Sequence, residues 1–195
     1  MDFTFLPVTV VAAIALFVLK ESFELVRRYK SEGRTKKALR ALLAVECERN
    51  HFTVKNLRGI LEVVQAWKQD DPFSIKISLK FSRDGEITFH QLTYDDGAGS
   101  QSVVRTTHRD FMSKQLLAVA TLDADLYRAL QPALDAVNEM EHVRQSLISH
   151  MEDPERTHLA GFAEYGLKEL DVAFNKLNTL YITCTGKELE NYRIR

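Results

Sequence analysis

The hydrophobic pattern along the chain changes character three times. Residues 3–19 read FTFLPVTVVAAIALFVL, seventeen positions without a charge and with two threonines and one proline among apolar side chains. A helix of that length spans roughly 25 Å, at the short end of what crosses a bilayer. Over residues 35–68 the apolar positions Leu39, Leu43, Val54, Leu57, Leu61 and Val64 recur in steps of three, four and eleven, which keeps them on one helical face. The DDP at 70–72 stops that helix, because Pro72 cannot continue the ladder. Residues 73–81, FSIKISLKF, then alternate strictly, with Phe73, Ile75, Ile77, Leu79 and Phe81 on one face of a half-buried strand. Asp84-Gly85 predicts a two-residue hairpin turn. EITFHQLTY returns from it, and a change of phase at His90-Gln91 predicts a bulge. DDGAGS is a loop, and QSVVRTT gives a third, weaker strand.

Helical period then resumes. RDFMSKQLLAVA predicts a short helix. Residues 123–151 carry a stripe of Leu126, Leu130, Leu134, Val137, Met140, Leu147 and Ile148. Residues 154–184 carry Leu159, Phe162, Ala163, Gly166, Leu170, Phe174, Leu177 and Tyr181. The link between them is short, so the pair predicts an antiparallel hairpin over about 123–185. Gly186 suits the helix stop, and 189–195 form a tail.

The net charge of −1 gives no electrostatic reason to expect nucleic acid. Its distribution is uneven. Residues 20–40 carry eight Lys/Arg against three Glu, whereas residues 41–195 carry eighteen against twenty-three Asp/Glu. Arg27, Arg28, Lys30, Arg34, Lys36 and Lys37 follow the apolar stretch, and only Asp2 precedes it. The positive-inside rule then predicts a single-pass protein of the cell membrane. Residues 1–2 lie outside, 3–19 form the transmembrane helix, and 20–34 form a basic juxtamembrane segment. Those six basic residues face anionic headgroups. A cytoplasmic domain follows over 35–188. A cleaved signal peptide fits less well, since MDFT supplies no basic leading region.

Glu-x-x-His occurs three times, at Glu48/His51, Glu139/His142 and Glu155/His158. In helical bundles this spacing forms half of a di-metal carboxylate site, provided that the pairs point inward. At about 100° per residue, Glu48 and His51 lie roughly 160° and 100° from the centre of their apolar stripe. Glu139 and His142 lie roughly 160° and 140° from theirs. Both pairs therefore face solvent, and no metal site is expected. The same test places Glu46 and Asn50 on the stripe of the first long helix, and Glu141 and Arg144 on that of the later one. Charges buried without partners are prohibitively costly, so these four pair with one another or open onto water. A polar layer that fixes helix register is one reading, and a ligand or partner pocket is the other.

Cys47 and Cys184 are too few for a disulfide scaffold and read as reduced core thiols. HRD at 108–110 copies three letters of a kinase catalytic loop but lacks the following Asn and any glycine-rich phosphate loop. DDGAGS lacks the Lys of a P-loop. No catalytic residue and no cofactor is assigned.

The sequence thus predicts an α+β, mainly α protein: an N-terminal transmembrane helix, then a helical bundle with an inserted antiparallel β-meander over about 73–107. Its expected role is a membrane-anchored interaction or regulatory module without intrinsic catalysis, acting through a protein partner or self-association. The alternative is a small ligand sensor or enzyme that uses the polar layer.

Overall fold

The computed structural model describes residues 8–67, 75–92, 99–153, 155–156 and 158–189. The elements run α1 (Val8–Ala66), β1 (Lys76–Phe81), β2 (Ile87–Leu92), β3 (Gly99–Val103), α2 (Asp110–Leu122), α3 (Ala124–Glu152) and α4 (Leu159–Thr185). The architecture is α+β and mainly helical. The chain divides into two compact units, Met1–Leu39 and Arg40–Arg195.

The membrane-crossing helix expected over 3–19 is corrected by this structure. Residues 3–7 lie outside the described residues. From Val8 the chain is helical without interruption to Ala66, so the apolar stretch is the first part of a 59-residue helix. Its uncharged run reaches only Leu19, about 18 Å at 1.5 Å per residue, before Lys20, Glu21 and Glu24 enter the next turns. A bilayer crossing needs about 20 predominantly apolar residues. No helix among the described residues is long and apolar enough to cross a membrane. The transmembrane helix, the single-pass arrangement and the cell-membrane location fall with it. Lys36 is half-buried and Arg27, Arg28, Lys30, Arg34 and Lys37 are exposed; Arg28 pairs with Glu24 one turn back at 3.8 Å.

Within residues 40–195, α3 and α4 pack on each other and α2 packs on α3. Leu130, Met140 and Leu147 of α3 and Leu170 and Leu177 of α4 are fully buried, as are Leu43, Leu57 and Leu61 of α1. Gly166 of α4 sits where these three helices meet. A Cβ there would stand 2.9 Å from Leu61 Cδ1 and 3.2 Å from Val143 Cγ1. Asp123 caps α3, accepting from Leu126 N at 3.2 Å. It also receives Arg40 Nη2 at 2.7 Å, which fixes the start of α3 on α1. Gly186, at φ 72°, ends α4 in a left-handed turn that glycine adopts without strain.

The three strands form an antiparallel meander in the order β1-β2-β3. Ile77, Leu79 and Phe81 share a face with Ile87 and Phe89, and Ile77 and Phe89 are buried there. The bulge expected at His90-Gln91 is absent, for the register runs unbroken from Lys76↔Leu92 to Phe81↔Ile87. The phase change is absorbed by letting Leu92 stand exposed at the strand end. The DDP stop and Phe73 lie outside the described residues. β1 lies against α3, which sets the sheet beside the helices.

Candidate functional site

The segment 104–109 joins β3 to α2 and forms neither helix nor strand. Its backbone polar groups need partners, and side chains of two helices supply them. Arg105 N donates to Asn56 Oδ1 at 3.2 Å, and Thr53 Oγ1 donates to Thr106 O at 3.2 Å. Thr107 Oγ1 donates to Glu141 Oε2 at 3.0 Å. His108 N donates to Asn50 Oδ1 at 2.9 Å while Asn50 Nδ2 donates back to His108 O at 2.5 Å, so the amide imitates a paired strand residue. Phe111 N and Met112 N then donate to the Glu46 carboxylate at 3.1 and 2.8 Å. Those two are orphan donors in the first turn of α2, whose own N-cap, Arg109, makes no side-chain cap. Glu46 therefore caps α2 from another helix, where its charge also suits the positive end of the dipole.

Glu46, Asn50, Thr53 and Asn56 follow one another at steps of four, three and three, which is one face of α1. Glu141 is held by Arg144 from the next turn of α3, with Nε at 3.0 Å and Nη2 at 2.6 Å. Their side chains are only 15% and 13% exposed. The four residues singled out from the sequence thus fall into two groups that grip the same segment from different helices. Glu46 and Asn50 hold it from α1, and Glu141, braced by Arg144, holds it from α3. Burial pushes the Glu46 carboxyl up, against the backbone donors that pull it down. Burial also pushes Glu141 up, but hydrogen bonds and charge from Arg144 outweigh it and hold that carboxyl at about 2.

Beside this clamp lies a cleft of about 740 Å³ between α1 and the β2–β3 end of the sheet. Val45, Phe52, Ile87 and Val104 give it apolar walls, and Arg49, Arg105 and Arg144 give it positive charge. The Arg105 guanidinium lies 4.3 Å from the centre of the Phe52 ring. Arg144 is committed to Glu141, whereas Arg49 and Arg105 have no carboxylate partner among the described residues. Of the two acids at the rim, Glu48 is occupied by the Tyr181 hydroxyl at 3.0 Å. His108 is pushed down by burial and by Arg49 and Arg105, so it adds no charge at neutral pH. A smaller cleft of about 470 Å³ adjoins, with Glu46 and Glu141 in its wall. Asn50 lines neither.

The Glu-x-x-His pairs do not converge. Among the described residues no three His, Cys, Asp or Glu side chains gather where they could hold a metal ion. His51 nevertheless departs from its expected solvent-facing position, being 6% exposed. α1 is covered over a wider arc than its apolar stripe, because α4 brings Phe174 against the imidazole at 5.3 Å between ring centres. Glu139 accepts from the Tyr165 hydroxyl at 2.7 Å. Cys47 is buried and Cys184 half-buried, and burial pushes both thiols up, Cys184 to about 11. Neither is activated as a nucleophile.

Sequence reasoning found the charged members of the clamp and missed Thr53 and Asn56. Both carry the same signal, a polar side chain on the buried face of α1. Arg49, Phe52 and Arg105 were also missed, because nothing local marks the two arginines as lacking acidic partners. No family model, no curated protein and no solved structure matches this chain.

Proposed function

We propose that residues 40–195 form a non-catalytic interaction module that receives an acidic segment of a protein partner in the cleft between α1 and the sheet. One observation carries the reading: Arg49 and Arg105 stand at an apolar cleft without carboxylate partners of their own. Guanidinium groups are weakly hydrated forks that match carboxylates, and arginine and aromatic side chains together are the composition of interface anchors. A volume of about 740 Å³ accommodates a few side chains of a partner.

The alternative of an enzyme or sensor built on the polar layer has less support. The oxygens of Glu46 and Glu141 are taken up by the chain's own donors, and Glu141, held at about 2, is a poor general base. The polar layer serves as the support of the cleft.

Selection of a random displayed peptide library on the immobilised full-length chain tests the proposal. Enriched peptides should combine acidic with apolar residues, and the double charge reversal Arg49→Glu/Arg105→Glu should abolish their retention. Enrichment without acidic residues, or retention indifferent to the reversal, refutes it.

A further inference from the structure

We infer that the open edge of β3 takes its partner by strand addition: an extended segment alternating acidic and apolar residues becomes a fourth strand of the sheet. This rests on the cleft reading above and specifies how the occupant is held.

Register decides which backbone groups are free. Val104 N donates to Ile87 O at 2.8 Å, so 104, 102 and 100 are the residues bonded to β2. In an antiparallel pair the residues between them turn their N–H and C=O groups away. Those are Gly99, Gln101 and Val103, and their outward groups meet no hydrogen-bond partner among the described residues. The next N–H on the same outward row, that of Arg105, is already taken by Asn56 Oδ1 of α1. The row is therefore closed where α1 reaches it and open just beyond, where it borders the cleft. The opposite edge differs. On β1 the same parity turns Ile77, Leu79 and Phe81 outward, and Arg156 Nη1 donates to Ile77 O at 3.2 Å. Lys76 and Lys80 also stand on that strand, and edge lysines discourage pairing.

The two faces of the sheet then dictate the sequence of the occupant. On one face Ile87 and Val104 continue into the apolar wall of the cleft. On the other, the strands present Lys76, Lys80, His90 and Val103 and no carboxylate, with Arg105 directly after the end of β3. A strand beside β3 directs successive side chains to opposite faces. Apolar side chains enter the cleft, and the alternate positions meet a cationic surface that favours Glu or Asp. Main-chain bonds to Gly99, Gln101 and Val103 supply affinity, and the alternation supplies specificity.

The probe is a capped seven-residue peptide alternating Glu with Val, titrated against the full-length chain by isothermal calorimetry. The same peptide N-methylated at every second amide should bind at least about tenfold more weakly in the one of its two phases that blocks the ladder. Gln101→Pro should cause a similar loss, because it removes one outward N–H and leaves the β2 ladder intact. If that variant unfolds by circular dichroism, the methylated peptides alone decide the matter. Replacing Glu by Lys in the peptide should abolish binding. Binding unaffected by either methylation phase or by Gln101→Pro overturns strand addition and leaves the cleft reading standing. Absence of binding at millimolar peptide overturns strand addition as well. A dimer of the chain that Gln101→Pro dissolves makes a second copy the occupant, and also overturns it. The cleft reading fails separately, by indifference of library-selected peptides to the arginine reversal.

Discussion

His51 makes the stability of this protein fall in mild acid, by an amount that can be worked out. Its imidazole is 6% exposed, and neither ring nitrogen has a hydrogen-bond partner among the described residues. Burial first, then the charges of Lys55 and Arg58, lower its pKa from 6.5 to about 4. Asp171, facing from α4, is engaged by Arg58 and does little to offset them. Between pH 6.5 and 4 the unfolded chain binds a proton at this position and the folded chain does not. The contribution is therefore fully present above 6.5 and is lost as pH falls towards 4. The full shift corresponds to about 3 kcal/mol, and roughly 2 of that is lost by pH 5. A cleft of about 550 Å³ opens beside the ring, and solvent there trims the loss to about 1–2 kcal/mol. The assay is urea denaturation of wild type and His51→Leu at pH 7.5 and 5.0. Other groups titrate alike in both proteins, so their difference isolates His51. The stability of wild type relative to the variant should drop by about 1–2 kcal/mol between the two pH values. If the two proteins fall in parallel, the buried neutral imidazole is not what the structure holds.

Three further outcomes follow from the same geometry. Glu46→Ala strands Phe111 N and Met112 N and should cost about 3 kcal/mol in denaturant midpoint, with amide exchange accelerated first at the start of α2. Gly166→Ala gains helix propensity of about 1 kcal/mol but drives a methyl against the fully buried Leu61. The net should be a loss of about 1–2 kcal/mol by thermal unfolding, and a rise in midpoint would show that Leu61 yields freely. Glu141 is held at about 2 against an ordinary 4.5, so its contribution is present above pH 4.5 and is lost as pH falls towards 2. Arg144→Met should remove about 2 kcal/mol at pH 7 and flatten that acid limb, and an unchanged limb refutes the Arg144 assignment.

Periodicity made the domain's elements legible. Stripes of three and four place Leu43, Leu57 and Leu61 inside, and the alternation about Ile77 marks the first strand, because each periodicity follows directly from backbone geometry. The N-terminal reading failed for a physical reason. Seventeen uncharged residues satisfy a composition test, but Lys20, Glu21 and Glu24 continue the same helix at once. At the site, Glu46 and Asn50 stood out as polar groups on an apolar face. What they hold was invisible, since their partners at 108, 111 and 112 lie about sixty positions away. His51 was misplaced because a stripe assumes one covering surface, and α1 has several.

The clamp and the cleft share one construction. Glu46, Asn50, Thr53 and Asn56 use the buried face of α1 to fix the backbone of 105–112, so their side chains are unavailable for anything else. Side chains that neighbour these positions in sequence are turned off that face by the same helical geometry. Arg49 precedes Asn50, and Phe52 precedes Thr53. On the clamped segment the bond from Arg105 N to Asn56 sets where the Arg105 side chain emerges, over Phe52. Two helices thus hold rigid the segment that positions a cation at the cleft rim. A recognition surface needs its anchors locked by a supporting shell, and here the buried polar groups form that shell. Charge at the rim can then be exchanged without disturbing the fold. The double reversal at Arg49 and Arg105 should change binding while leaving the unfolding midpoint within about 0.5 kcal/mol of wild type, which is the behaviour of surface side chains that carry recognition and not structure.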